Sequence, residues 1–264
     1  MTDLTMKSLA LLLLVATAVL AKPETRIVGG SEAQPGDAPF VVSIQDRDGQ
    51  HFCAGTIISS NAILASAPCL EGQRLNAGRV IAGTLDISGT GGGTVHRARS
   101  ITIHPNYSLD AGGKPVHDIA IATLTPDFVF DTMTNASSLP LQDAVLLDGT
   151  PMQVAGWGTT TPGGSMSFTL NKATVSLIDP NACSDLYAEV NGIAVNQICA
   201  GGNGRDACSG DSGGPLYVAP QVGGKGVVWG LVSWGFSCAS DTHPGVYTEV
   251  SKYRDWIDQV LAAS

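Results

Sequence analysis

A serine between glycines is the first feature of the sequence that could carry chemistry. Ser212 lies within Gly210–Pro215, which reads GDSGGP. A serine hydroxyl attacks a carbonyl carbon when a neighbouring base removes its proton, and flanking glycines let backbone N–H groups converge on the oxyanion that forms. The segment therefore predicts a nucleophile, Ser212, with an oxyanion hole built by Gly210 and Ser212.

Two alternatives exist for Gly210–Pro215. One is a glycine-rich hairpin turn without chemistry. The other is the G-x-S-x-G elbow of α/β-hydrolases, which lies between a strand and a helix and precedes an acid and a histidine. The chain after Ser212 offers His243 as its only histidine, and helical patterns between strands are missing, so the elbow is disfavoured.

Short strands must position these residues. After residue 26, apolar and β-branched runs alternate with glycine and proline turns, which predicts strands without intervening helices and favours barrels or sandwiches over a parallel α/β sheet. The predicted strands are Phe40–Gln45, Phe52–Ser59, Asn61–Ala67, Arg79–Thr84, Ser100–His104, Ile119–Leu124, Gln153–Trp157, Ala173–Ile178, Gly226–Trp234 and Gly245–Val250.

One helix is predicted, at the C-terminus, with Ser251 as its N-cap. Its apolar residues recur at helical spacing and form one stripe that packs on the body of the protein. They are Tyr253, Trp256, Ile257, Val260 and Leu261.

The composition excludes several classes of protein. The chain has 264 residues, of which 44 % are hydrophobic and 14 % charged, so it can bury a sizeable core and is not disordered. Its net charge of −9 offers no basic face to a phosphate backbone, so nucleic acid is not an expected partner. We expect a monomer.

The first residues predict export. Lys7 precedes an apolar run, Leu9–Ala21, that ends in small residues and is shorter than the roughly 20 residues of a membrane span. Residues 1–21 are therefore predicted to be a signal peptide, with a buried core helix as the alternative, and the protein to be secreted, extracellular and not membrane-bound. Six cysteines after such a leader suggest three disulfides. Two N-glycosylation sequons, at Asn106 and Asn135, are compatible with export.

Seven segments of Ile27–Ser264 share their order and spacing with one protein family. They are Ile27–Gly30, His51–Cys53, Asp118–Ala120, Gly156–Gly158, Gly210–Pro215, Val232–Gly235 and Pro244–Tyr247. Together they resemble the chymotrypsin family of serine proteases.

The resemblance implies an all-β fold of two six-stranded antiparallel barrels with the active site between them. Residues 27–264 would form the protease domain, with the boundary between its barrels near 131–138. The implied disulfides are Cys53–Cys69, Cys183–Cys199 and Cys208–Cys238.

The resemblance also implies a zymogen. Residues 22–26 look like a propeptide that an activating protease removes by cutting after Arg26. The freed amino group of Ile27 would enter the second barrel and pair with the Asp211 carboxylate. A buried charge pair is tolerable only when both partners are present, so cleavage would act as a switch.

A specificity pocket is implied around Asp206, which by resemblance to trypsin lies at the pocket floor. Gly235 and Gly245 leave the pocket walls open, and Ser233 and Trp234 line the substrate site. A buried carboxylate at the end of a narrow slot selects Arg or Lys side chains. The alternative for Asp206 is a solvated loop charge.

The resemblance fails at one catalytic position. The family's catalytic histidine directly precedes the cysteine of an Ala-Ala-His-Cys segment, but Ala65–Cys69 reads ASAPC, so Pro68 takes its place. Asp118, which would orient that histidine, is retained, as are Ser212 and Ser233.

None of the other histidines is a natural substitute. His51 matches a non-catalytic position, and His117 is predicted to point away from Asp118 along a strand. His96, His104 and His243 are expected on loops or strand ends away from the cleft.

Three hypotheses follow. The protein is a pseudoprotease that binds polypeptide substrates, protease inhibitors or another protein; or it is an active trypsin-like endopeptidase and Pro68 is a sequence error; or a histidine on the bound peptide replaces the missing base. No cofactor or metal is expected, because the stretch Asp86–Val95, where trypsins bind calcium, carries a single acid.

Overall fold

The structure is a computed structural model that describes residues 27, 29–72, 74–190, 192–202, 204–220, 225–240 and 242–264. The predicted signal peptide (1–21), the predicted propeptide (22–26) and its cleavage residue Arg26 lie outside these residues. Among the helices that are described, none has the length and apolar character needed to cross a bilayer.

The described residues form fifteen strands and four α-helices. The strands are β1 Ser31–Glu32, β2 Val41–Gln45, β3 His51–Ile57, β4 Ala62–Ala65, β5 Arg79–Ala82, β6 Thr94–Ile103, β7 Ser108–Leu109, β8 Pro115–Val116, β9 Ala120–Thr125, β10 Pro151–Gly156, β11 Asn171–Ile178, β12 Gln197–Gly201, β13 Pro215–Val218, β14 Val227–Trp234 and β15 Gly245–Glu249. The helices are α1 Ala67–Leu70, α2 Arg74–Ala77, α3 Pro180–Leu186 and α4 Arg254–Ala262, with 3₁₀ turns at Ala188–Val190 and Val250–Tyr253.

The strands close into two antiparallel barrels. The first has the order β2-β3-β4-β9-β6-β5 and closes where β5 pairs with β2. The second has the order β11-β10-β13-β14-β15-β12, closes where β12 pairs with β11, and carries β1 on the outer edge of β11. The prediction of an all-β fold with two six-stranded barrels is confirmed.

Apolar side chains fill both barrels and join them. Ile44, Leu64 and Ile121 from three strands of the first barrel are fully buried in one cluster, as closure of a sheet of alternating apolar residues requires. Phe40, just before β2, packs edge-on against Tyr217 of β13 with ring centroids 5.0 Å apart. Residues 126–150 connect the barrels and include the stretch 131–138.

All ten predicted strands are present within a few residues of their predicted bounds, except that β6 begins earlier, at Thr94. Five strands were not predicted. Three of them, β1, β7 and β8, have only two residues each, and the other two are the longer strands β12 and β13. The five residues of β12 end in Cys-Ala-Gly and β13 starts with a proline, so neither shows the β-branched alternation that indicates a strand.

The C-terminal helix is confirmed, but its predicted N-cap is wrong. Helix α4 begins at Arg254, and Ser251 lies in the preceding 3₁₀ turn, where its hydroxyl donates to Glu249 Oε1 at 2.7 Å. The apolar stripe does pack on the first barrel, with Ile257 fully buried. Helix α3 was not predicted, although Asp179 before Pro180 caps it by accepting from the Ala182 N–H at 2.8 Å.

Three disulfides are present among the described residues, with the predicted pairings Cys53–Cys69, Cys183–Cys199 and Cys208–Cys238. The first ties β3 to helix α1. It therefore fixes the position of Pro68, which directly precedes Cys69 in that helix.

Candidate active site

Ser212 lies in the loop before β13, where both barrels hold the backbone. The Ser212 carbonyl accepts from the Ala54 N–H of the first barrel at 2.9 Å, and the Gly213 N–H donates to Val232 O of the second barrel at 2.8 Å. Gly213 has φ +77°, and a Cβ there would lie 2.7 Å from Ala54 O. Only glycine tolerates both the positive φ and the short contact with Ala54 O, so residue 213 must be glycine for the loop to adopt this conformation.

The loop also presents backbone donors beside Ser212. Gly210 adopts φ +98°, and its carbonyl turns toward the His51 ring, whose Nε2 donates to it at 2.9 Å. Within the described part of the chain, the N–H groups of Gly210 and Ser212 donate to no backbone carbonyl. Two such N–H groups are what an oxyanion hole needs.

His51 is a structural support for this loop. Its Nδ1 lies 2.8 Å from the Ser43 hydroxyl, which donates to it because Nε2 carries the ring proton given to Gly210. Burial lowers the pKa of His51 from 6.5 to about 4, partly offset by the hydrogen bond to Gly210. The imidazole is therefore neutral at physiological pH.

The Asp118 carboxylate is buried and held by two donors. Its Oδ1 accepts from the Ala67 N–H at 2.7 Å, and its Oδ2 accepts from the Ser233 hydroxyl at 2.5 Å. Asp118 is 1 % exposed. Burial raises the pKa of its carboxyl group, although both hydrogen bonds favour the ionised form. The Thr248 hydroxyl donates to the Asp118 carbonyl at 2.8 Å and fixes the backbone.

Pro68 stands in the first turn of α1 and is exposed. Proline is compatible with this position because the first N–H groups of a helix have no intrahelical acceptor and proline sets a helical φ. The adjacent Ala67 N–H still reaches Asp118. The fold around the acid thus tolerates Pro68, but the side chain brings no group that can take a proton.

None of the five histidines of the chain bonds to Ser212 or Asp118 in the structure. Their partners are Ser43 and Gly210 for His51, Thr94 and Pro126 for His96, the Asn106 N–H for His104, Asn196 and Tyr253 for His117, and Thr242 and Glu189 for His243. Among the described residues, no hydrogen bond to the Ser212 hydroxyl is found either.

Two expectations about histidines need correction. His96 lies inside β6 and is buried, not on a loop or strand end. His117 is not on a strand: it adopts φ +51° between β8 and β9, so side-chain alternation does not apply to it, although its ring does turn away toward Asn196 and Tyr253. His243 does lie on a loop, as expected, and its ring packs 4.8 Å from that of Phe236.

A cleft of about 220 Å³ opens beside Ser212. Its lining brings together the residues predicted for the substrate site and adds several that were not predicted. The predicted ones are Asp206, Ser212, Ser233, Trp234, Gly235 and Gly245, and the additional ones include Ala207, Phe236 and Tyr247.

Asp206 is buried in this cleft, not a solvated loop charge. It is 4 % exposed, and burial raises the pKa of its carboxyl group to about 6. Its Oδ2 accepts from the Ala239 N–H at 3.1 Å, and the Ala207 N–H and the Tyr247 hydroxyl lie close enough to favour the ionised carboxylate, but Oδ1 makes no well-aligned hydrogen bond within the described part of the chain. A buried carboxylate whose hydrogen bonds are incomplete is costly, so this site favours a ligand that brings a cationic donor.

Gly245 keeps that oxygen accessible. A Cβ at Gly245 would lie 2.6 Å from Asp206 Oδ1 and 3.2 Å from the Tyr247 hydroxyl oxygen, whereas a Cβ at Gly235 would meet only Gly245 Cα at 3.9 Å. A side chain at Gly245 would therefore displace the Asp206 carboxylate, whereas a side chain at Gly235 would not contact it.

Ile27 and Asp211 are both buried in the second barrel. Ile27 is fully buried in a cluster that contains Ala207 and Tyr247. The Asp211 carboxylate accepts from the N–H groups of Gly158 at 2.8 Å and Cys208 at 2.9 Å, and burial raises its pKa to about 6. No described cation offsets this burial.

Some contacts that hold the site were not anticipated from the sequence. The Ala67 N–H and the Thr248 hydroxyl both hold Asp118, and the Ala239 N–H holds Asp206. Backbone donors carry no sequence signal, whereas Tyr247 stands in a motif segment and could have been assigned to the pocket. No three His, Cys, Asp or Glu side chains among the described residues group into a metal site.

Comparison with known proteins agrees with this architecture. The sequence model of the Trypsin family matches residues 27–257. The chain is 36 % identical over 245 residues to Trypsin alpha of Drosophila melanogaster (92 % of this chain, 90 % of the relative) and 39 % identical over 240 residues to Trypsin Blo t 3 of Blomia tropicalis (89 % and 85 %). It is 34 % identical over 253 residues to Chymotrypsin-like elastase family member 1 of Homo sapiens (92 % and 95 %). The chain belongs to the trypsin family of serine proteases.

Proposed function

We propose that this member of the trypsin family is a pseudoprotease, which binds polypeptides through an Arg or Lys side chain and does not cleave them. The observation that carries the proposal is the contrast between two positions. Asp206 offers a buried carboxylate oxygen that makes no well-aligned hydrogen bond with the described residues, and Pro68 stands where the base would be. Ser212, Gly210 and Gly245 complete a site that fits a peptide carbonyl and a cationic side chain.

The absence of a base at position 68 limits the rate of peptide-bond cleavage. Removing the histidine of a protease triad lowers kcat by on the order of 10⁶, which equals about 8 kcal/mol of barrier. The oxyanion hole and substrate binding leave a residual rate enhancement of roughly 10³–10⁴ over the uncatalysed reaction in water. Binding therefore persists while turnover falls below a useful rate.

A histidine supplied by the bound peptide does not repair this site readily. In a triad, the imidazole must contact both the nucleophile and the acid that orients it. Asp118 is 1 % exposed with Pro68 in place, and its two oxygens already accept from Ala67 and Ser233. An imidazole from outside would have to displace part of α1 to reach this carboxylate.

The second candidate is an active endopeptidase that cleaves after Arg or Lys. The observation that favours it is the retention of Asp211 and Ser212 in positions suited to activation and catalysis, which a protein that only binds polypeptides does not require. It demands a histidine at position 68. Resequencing that codon separates the two candidates, because His and Pro codons differ by one base.

The remaining parts of the proposal concern maturation. Residues 1–21 direct export, and a protease that cuts after Arg26 releases residues 22–26. The new amino terminus at Ile27 then supplies the cation that the buried Asp211 carboxylate lacks. Three disulfides suit an extracellular protein of this kind.

Binding without turnover is tested on the chain that begins at Ile27. We expect it to bind p-aminobenzamidine, detected by the fluorescence of the bound dye, and to leave an arginine ester intact under the same conditions. Asp206→Asn is the matched control and should abolish dye binding without unfolding the protein. Hydrolysis of the ester at ordinary trypsin rates by sequence-verified protein would reject the proposal, as would failure of a folded protein to bind the dye.

A further inference from the structure

We propose that the exported protein carries an N-linked oligosaccharide on Asn106 and none on Asn135. The inference depends on passage through the secretory pathway, which is part of the proposed function, and not on the absence of turnover. It separates two Asn-x-Ser sequences that look equivalent in the amino-acid sequence.

Asn106 lies on an open turn. The Tyr107 N–H donates to His104 O at 2.9 Å, which closes a tight turn with Asn106 inside it and exposed. The Asn106 side-chain amide makes no hydrogen bond within the described part of the chain; only its backbone N–H does, to His104 Nδ1 at 3.3 Å. Ser108, the hydroxyl residue of the acceptor sequence, is exposed at the start of β7.

Asn135 lies in a docked segment. Its Oδ1 accepts from the Ala136 N–H at 2.9 Å, and its backbone N–H donates to Pro39 O at 2.9 Å. Ser137 is 7 % exposed, and both its N–H and its hydroxyl donate to Ile57 O, at 2.9 and 3.2 Å. The neighbours Thr134 and Ala136 are buried as well.

This difference decides which modification the fold accepts. An N-linked oligosaccharide is bulky and polar and belongs on the surface. At Asn106 it extends into solvent without breaking a contact. Asn135 is half-buried, and its backbone N–H and Ser137 bond to Pro39 and Ile57, so a bulky oligosaccharide on Asn135 would crowd this docked segment. A chain glycosylated there would fold poorly and would not be secreted in quantity.

The covalent step is a transfer from a lipid-linked oligosaccharide diphosphate, which the secretory pathway supplies. A bond forms between Asn106 Nδ2 and the anomeric carbon of the first sugar, and the bond from that carbon to the diphosphate oxygen breaks. The amide loses one proton, and the lipid diphosphate leaves with the electron pair.

The residue after Asn106 anchors this turn to the protein. Tyr107 follows Asn106 and is half-buried against the core of the first barrel.

The test is secretion from mammalian cells of residues 22–264 behind a leader of known function. Peptide N-glycosidase in ¹⁸O-labelled water converts each glycosylated asparagine to labelled aspartate, which peptide mass spectrometry locates. We expect the label at Asn106 alone. The Asn106→Gln and Ser108→Ala variants should both lose the mass of the one oligosaccharide, whereas the control Asn135→Gln should keep it.

Secreted wild-type protein without label at Asn106, or with label at Asn135, would overturn the inference. Because the leader is supplied, a defect in residues 1–21 does not affect the outcome. Binding of p-aminobenzamidine is measured separately, so a failure of the proposed function is recognised independently of the glycosylation result.

Discussion

In the proposed function, the residues in and beside the cleft divide into those that bind and those that would move a proton. We assign Asp206 and Gly245 to the binding end, where burial and an incompletely hydrogen-bonded carboxylate oxygen favour a cation. In the proposed function, Ser212 and Asp118 are remnants of the proton-transfer end, because Pro68 supplies no base. Affinity and catalysis therefore depend on different side chains, and each can be changed without the other.

At this scale, cation binding should depend on pH through Asp206. Its pKa of about 6 means that the carboxyl group is protonated below that pH and can no longer pair with a cation. We expect the Kd of benzamidine to rise about tenfold between pH 7 and pH 5 in a fluorescence or calorimetric titration, since affinity falls tenfold for each pH unit below the pKa. The Asp206→Asn variant should bind weakly at every pH. An affinity that stays constant from pH 5 to pH 8 would contradict this role of Asp206.

Strands and helices position these residues, and the sequence predicts some of these elements more accurately than others. Cys69 fixes the register of Pro68 because its disulfide to Cys53 ties α1 to β3. The β-branched strands could be predicted because closed barrels bury alternate side chains. The left-handed backbone of His117 could not, since tertiary contacts to Asn196 and Tyr253 hold it. The start of α4 was misplaced because a 3₁₀ turn takes up Ser251.

The start of β15 gives a prediction about the pocket. In Gly245→Ala, the added Cβ would lie 2.6 Å from Asp206 Oδ1, so the carboxylate must move. We expect a loss of benzamidine affinity of at least about tenfold, because a charge-assisted bond worth 1.5–3 kcal/mol is weakened.

Gly235→Ala is the matched control. Its added Cβ meets Gly245 Cα at an ordinary contact distance of 3.9 Å and leaves Asp206 in place. It should reduce affinity clearly less than Gly245→Ala in the same titration. Equal losses in the two variants would show that the position of the Asp206 carboxylate does not limit binding.

The whole molecule is two barrels whose contact holds the loop of Ser212. His51 and Ser43 belong to the first barrel, and Gly210 belongs to the second. Phe40 and Tyr217 add an aromatic contact between the barrels. The sequence motifs predicted both barrels but not this bridge, because a hydrogen bond from His51 to a distant carbonyl leaves no local pattern.

The bridge should make stability depend on pH. The pKa of His51 is about 4 in the folded protein and 6.5 as its ordinary value, so the unfolded chain takes up a proton first as the pH falls. The contribution of the neutral ring is complete above pH 6.5 and is lost between pH 6.5 and pH 4. It amounts to about 3 kcal/mol at 1.36 kcal/mol per pKa unit.

His51→Gln tests this bridge, because glutamine does not titrate. Denaturant unfolding from pH 7 to pH 4 should show the wild-type free energy of unfolding falling by about 3 kcal/mol relative to the variant. Parallel pH profiles for the two proteins would mean that His51 is not buried in the neutral form.

The most direct test of the account is the kcat/KM for an arginine p-nitroanilide, measured on chains that begin at Ile27 with residue 68 varied. We predict that the wild type and Pro68→Ala stay near the uncatalysed background, while Pro68→His gains on the order of 10³-fold or more. The gain should require Ser212 and vanish in Ser212→Ala. A wild-type protein that turns over at the typical enzyme rate of about 1–10³ s⁻¹, or a folded Pro68→His protein that stays at background, would contradict the account.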